Sequence, residues 1–188
     1  VKGSYDVPRG VTHRVAVLDD LAVVLESRPG DVGGALFYDA LDPTAPTLIH
    51  RMSDMEQVPM DLAFYDKMLL IASSVGVTPY TLDGAGGFVV TELGEALFAG
   101  SNPTAIAVHD DEVLVAAGAS PATLTRAELE GVEGSLVASS VVQRTIEGAR
   151  FGRVDLSAEL ALAIDPLTGD ASLWDFTQGF VENWTGSQ

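Results

Sequence analysis

Hydrophobic and polar positions alternate with a period of two along this 188-residue chain, in short runs broken by acidic turns. "VAVLDD", "LAFYDK" and "IAVHDD" lead into "LAVVLES", "MLLIASS" and "VLVAAGA", which begin at Leu21, Met68 and Val113. A fourth copy reads "VDLSAELALAI". Val15, Leu62, Ile106 and Val154 correspond, as do Val17, Phe64, Val108 and Leu156, with Ala16, Ala63, Ala107 and Asp155 between them. Large apolar groups therefore occupy one face and small groups the other, as in a strand packed on both sides. The pattern recurs every 44 to 48 residues, a period that fits a propeller blade or a helical array.

Local composition selects strands. The apolar runs last five to seven residues, are rich in Val, Ile, Leu, Phe and Thr, and are punctuated by Asp/Gly turns such as "DGAGG" and "DPLTGD". Even the most helix-like stretch, "LTRAELEGVE" at Leu124–Glu133, reads as an outer strand. Four strands fit each unit, and four antiparallel strands repeated around an axis make a β-propeller. The expectation is an all-β single domain over 1–188 with blades at about 11–53, 58–101, 102–145 and 149–185, and an extra outer strand in 1–6. Two closures fit this pattern: a closed four-bladed disc, or part of a larger ring completed by further sequence or a second copy.

The phrase "GGALFYDALDPTAPTLIHRMS" resembles the LVIVD-repeat family of bacterial and archaeal β-propellers. In that family an apolar strand ends in Asp, a D-P-x-x-P turn follows, and an outer strand comes next. Here those parts are Leu36–Asp39, then Asp42, Pro43 and Pro46, then Thr47–Met52. Tyr80–Asp83 and Leu173–Phe176 keep the strand without the turn, and the third unit lacks the phrase. The resemblance implies an exported or cell-surface protein, in a family whose individual roles are mostly unassigned.

Charge narrows the partners. With 27 acidic residues against 10 basic ones the net charge is −17, which repels phosphate backbones and anionic membranes. No run approaches the roughly 18 apolar residues of a membrane helix. Nucleic acid and membrane insertion are therefore not expected. The absence of Cys removes disulfides, thiol nucleophiles and thiolate metal sites, and leaves the compartment open.

Candidate chemistry is sparse. His13, His50 and His109 occupy unequal positions in the repeat, so a shared metal site is not expected. Arg14, Asp61, Ala105 and Arg153 begin the inner strands, a ring that suits an internal ion pair or an anionic guest better than Ca²⁺. Asp19-Asp20 and Asp110-Asp111 read as turn residues rather than acid/base pairs, and no G-x-S-x-G is present. Loops between blades, together with the longer loop Ser27–Gly34 on the same face, carry Arg28, Met55 and Phe98 as partner contacts. The leading expectation is a non-catalytic binding or scaffold module without a cofactor, holding a protein, a glycan or another copy through one loop-bearing face. The runner-up is a metal-dependent hydrolase or lactonase-like enzyme with a channel Ca²⁺ near Asp61, and a surface or filament subunit is the third reading.

Overall fold

A computed structural model describes residues 11–27, 33–53, 55, 57–84, 88–118, 121–132, 134–146, 150–158, 160–165, 167–176 and 179–184. Blade one contains β1 (Val11–Leu18), β2 (Leu21–Ser27), β3 (Gly34–Asp39) and β4 (Thr47–Met52). Blade two contains β5 (Pro59–Tyr65), β6 (Met68–Ser73), β7 (Gly76–Asp83) and β8 (Val89–Glu92). Blade three contains β9 (Pro103–His109), β10 (Glu112–Ala117), β11 (Ala122–Val132) and β12 (Ser135–Ile146). Blade four contains β13 (Arg153–Leu156), β14 (Leu160–Ile164), β15 (Ala171–Asp175) and β16 (Gly179–Trp184). Each set pairs as a simple antiparallel meander in chain order, and together the sheets form a four-bladed β-propeller. The helix-like stretch that begins at Leu124 is indeed strand, within β11. Residues 1–6 and Arg28 lie outside the described residues.

Meander pairing sorts the connections. Turns between first and second strands emerge on one face of the disc; links between blades, and the turns between second and third strands, emerge on the other. The first-strand turns need a left-handed residue, and Asp19, Asp66 and Asp110 all have φ of 51°. Asp tolerates that region better than most side chains, which accounts for the repeated acidic turns. In the family-like phrase, Asp42 accepts hydrogen bonds from the Thr44 N–H and hydroxyl at 2.9 and 2.6 Å, so the D-P-x-x-P segment forms a side-chain-closed turn.

The period-two pattern becomes packing. Val23, Leu25, Ala35 and Phe37 of blade one meet Leu62, Leu69, Ile71 and Tyr80 of blade two. Leu70, Ala72 and Val77 meet Ile106, Val113 and Leu129 at the next seam, and Leu114, Ala116 and Leu124 meet Val154, Ala161 and Ala163 at the third. Ala16, Ala63 and Ala107 face forward to the next blade at these seams. Phe64 packs beside the first cluster but is only half-buried. Val15 and Val17 depart from their counterparts, standing 57% and 61% exposed where Val154 and Leu156 are each 7%. Among the described residues no apolar cluster spans blades four and one, so these two valines lack the cover that their repeats receive.

Candidate functional site

Two features stand on the face that bears the blade connections: a polar circuit at the channel and a cleft between blades one and two. The circuit begins with a backbone irregularity. Register slips by one residue between Thr12 and Arg14 and between Pro59 and Asp61, and opposite Ala116/Ala117. Such bulges re-aim the following side chain. Arg14 Nε donates to Asp61 Oδ1 at 3.0 Å, joining blades one and two. Asp61 Oδ2 accepts from the Ile106 N–H at 3.1 Å, joining two and three. Thr104, in the third bulge, donates its hydroxyl to the Phe151 carbonyl at 2.6 Å on the approach to blade four. Arg14 Nη2 then donates to the Gly152 carbonyl and returns the circuit to blade one.

Asp61 is thus the internal ion-pair partner that the ring composition favoured. It also accepts from the Leu62 N–H at 3.0 Å, so both of its oxygens are engaged. Burial is the largest influence on this carboxyl and raises its pKa, outweighing the Ile106 N–H, the Arg14 charge and the Leu62 N–H, which pull it down. Arg153 is exposed and stands outside the circuit, and Ala105 is buried in the third seam. A hard cation needs six or more oxygens, and this donor set presents one already-paired carboxylate. Among the described residues no three His, Cys, Asp or Glu side chains gather for a metal.

The cleft has a volume of about 520 Å³ and is lined by Arg51, Met52, Ser53, Met55, Gln57, Ser73, Val75, Thr78, Tyr80 and Glu92. Its floor is built by β7, where Tyr80 is only 7% exposed because its ring packs into the first seam. Tyr80 faces Glu92 across the β7–β8 ladder. Burial first, and the Glu92 charge second, push the phenol up to about 12. The rim is the Ser53–Gln57 connection, where Ser74 donates to Gln57 and Met55 lies half-buried against the first-seam core. Arg51 stands 3.6 Å from Glu26, whose side chain is almost wholly buried.

Of the loop residues proposed as contacts, Met55 lines this cleft, whereas Phe98 packs against the second-seam core in a left-handed conformation with φ of 53°. Sequence reasoning missed Tyr80 and Glu92. Their alternation read only as strand, and no local motif marks which residues of neighbouring blades will face one gap.

The opposite face carries a recess of about 450 Å³ lined by His109, Asp110, Asp111, Glu112, Glu128, Leu129, Glu130 and Ala158. Its carboxylates are largely committed to the fold. Arg126 binds Glu112 and also donates to the Ala158 carbonyl at 2.8 Å, while the Tyr65 hydroxyl donates to Asp111 at 3.1 Å. Ser139 and Ser140 donate to Glu130 and Glu128, each at 2.8 Å.

Solved structures share the architecture. The chain is similar to the computationally designed Ika4 protein, with a TM-score of 0.61 at 14% identity, over 98% of this chain and 96% of that one. It also matches Hsv2 of Kluyveromyces lactis, with a TM-score of 0.59 at 7% identity, where it covers 98% of itself and 53% of that chain. The designed Ika8 protein gives a TM-score of 0.53 at 14% identity, over 94% of this chain and 62% of that one. At such identities the likeness shows the fold alone. No family model and no curated protein matches the chain.

Proposed function

We propose that this chain is a non-catalytic binding and scaffold module that holds its partner on the connection-bearing face, in the cleft between blades one and two. The observation that carries this reading is the cleft itself, which falls within the size range of ligand pockets and mixes apolar walls with a few fixed polar groups. Rigid β7 and β8 supply its floor, and a connecting loop supplies its rim, the usual division between scaffold and specificity. Kinship to LVIVD-repeat propellers, and with it export to the cell surface, belongs to the same proposal and rests on the Asp42–Pro46 turn and its flanking strands.

The four methionines give a direct test. With methyl-labelled Met, adding peptides or oligosaccharides in turn is expected to move the Met52 and Met55 resonances and leave Met60 and Met68 in place. Met55→Glu is expected to abolish that response without altering the melting temperature by more than a few degrees. Shifts centred on Met60 instead would place the partner at the channel mouth and defeat the cleft assignment.

A further inference from the structure

The chemistry lining this cleft is selective in charge. Arg51 has Glu26 behind it at 3.6 Å, so its positive charge is largely balanced from within the fold. Glu92 is exposed on the cleft wall, and among the described residues no cation lies within ion-pair distance of it. Beside it, the Tyr80 hydroxyl has no hydrogen-bond partner among the described residues, although Tyr80 is only 7% exposed. The ring is buried while the hydroxyl tip meets the cleft, where its oxygen can accept a guest's donor.

Three classes of guest can be compared. An anion meets Glu92 and a net charge of −17, and is repelled. A neutral sugar leaves the Glu92 charge unpaired and finds no open aromatic face, because the Tyr80 ring is spent in the core. An ammonium on a flexible aliphatic stem satisfies both groups: its charge pairs with Glu92, one N–H reaches the Tyr80 oxygen, and its methylenes lie against Met52, Met55 and Val75. Methionine walls adapt well to such a stem.

Resting on the cleft reading above, we propose that the cleft takes a lysine side chain presented by a basic protein partner. Glu92 supplies the charge, Tyr80 the hydroxyl acceptor and the methionines the apolar walls. The general negative field draws the partner in, while the cleft fixes its register.

The test uses a capped Ala-Lys-Ala tripeptide titrated into the full chain with methyl-labelled methionines. The same tripeptide with its lysine acetylated serves as control. Two variants remove the same charge from different faces: Glu92→Gln in the cleft and Glu130→Gln in the opposite recess. The expected result is saturable movement of Met52 and Met55, weakened about two- to fivefold by Glu92→Gln, the scale of an exposed ion pair. Acetylation should weaken it similarly, Tyr80→Phe should weaken it measurably, and Glu130→Gln should leave it unchanged. Equal weakening by both glutamate variants would reduce the effect to bulk charge and overturn the proposal, as would undiminished binding of the acetylated peptide. If maltose moves Met52 and Met55 while the lysine peptide does not, the cleft stands and the ligand class falls. If the peptide moves only Met60 or Met68, both fall.

Discussion

A single carboxylate, Asp61, links three blades, since it binds Arg14 of blade one and the Ile106 N–H of blade three. Its pKa is raised by burial, so above the ordinary value of 3.8 the native protein holds this proton more tightly than the unfolded chain. The linked stability is full below that value and declines as pH rises through the native pKa of Asp61. Asp61→Asn removes the titration. In urea melts, the stability of the wild type relative to Asp61→Asn is therefore expected to fall as pH is raised above about 4. A difference that grows over this range would mean that Arg14 and the two amides outweigh burial. Tyr80 offers a second residue-scale readout. Its phenol is held at about 12, so native-state stability linked to it is lost as pH climbs from the normal tyrosine value of about 10 through 12. Phenolate absorbance should show late titration in the wild type that loses one tyrosine's amplitude in Tyr80→Phe; simultaneous titration of every tyrosine near pH 10 would contradict the buried placement.

Strands were the most legible elements, because each β-run is short, alternating and closed by an Asp turn. The outer strand Thr47–Met52, the inner Met68–Ser73 and Leu160–Ile164 follow directly from residue pattern. Energetic weight within a strand was less legible. Phe64 and Phe37 look alike in sequence, yet Phe37 is fully buried, with the rings of His50 and Phe88 at 5.5 and 5.3 Å, while Phe64 is half-buried. Phe37→Ala is expected to cost about 3–5 kcal/mol in denaturant melts, and Val17→Ala, at an exposed site, less than about 0.5 kcal/mol. Similar losses at both positions would require blade four to cover Val17 in solution. The bulges were silent in the sequence, since a one-residue slip leaves composition and period almost untouched. They nevertheless decide that Arg14 reaches Asp61 while Arg153 does not. The cleft was legible only through Met55, because Tyr80 and Glu92 acquire meaning from the gap between two blades.

At the first and third seams, aromatic side chains gather away from the axis. Ala16, Ala63 and Ala107 lie at the inner strands, while Phe37, His50, Phe88 and Tyr80 fill the first seam farther out, and Trp174 and Phe176 line the third. Blade number and this gradient are coupled by the geometry of a circle. Four sheets around one axis diverge by roughly 90° from neighbour to neighbour, so their inner edges nearly touch while their outer edges stand far apart. Alanine allows the convergence, and aromatic rings occupy the divergence. In a ring of five or more such blades the wedges narrow, and the same aromatic rim is too bulky for the space. The hydrogen-bond pattern of a blade is indifferent to how many neighbours it has; the width of the wedge that its outer aromatic rings fill is not.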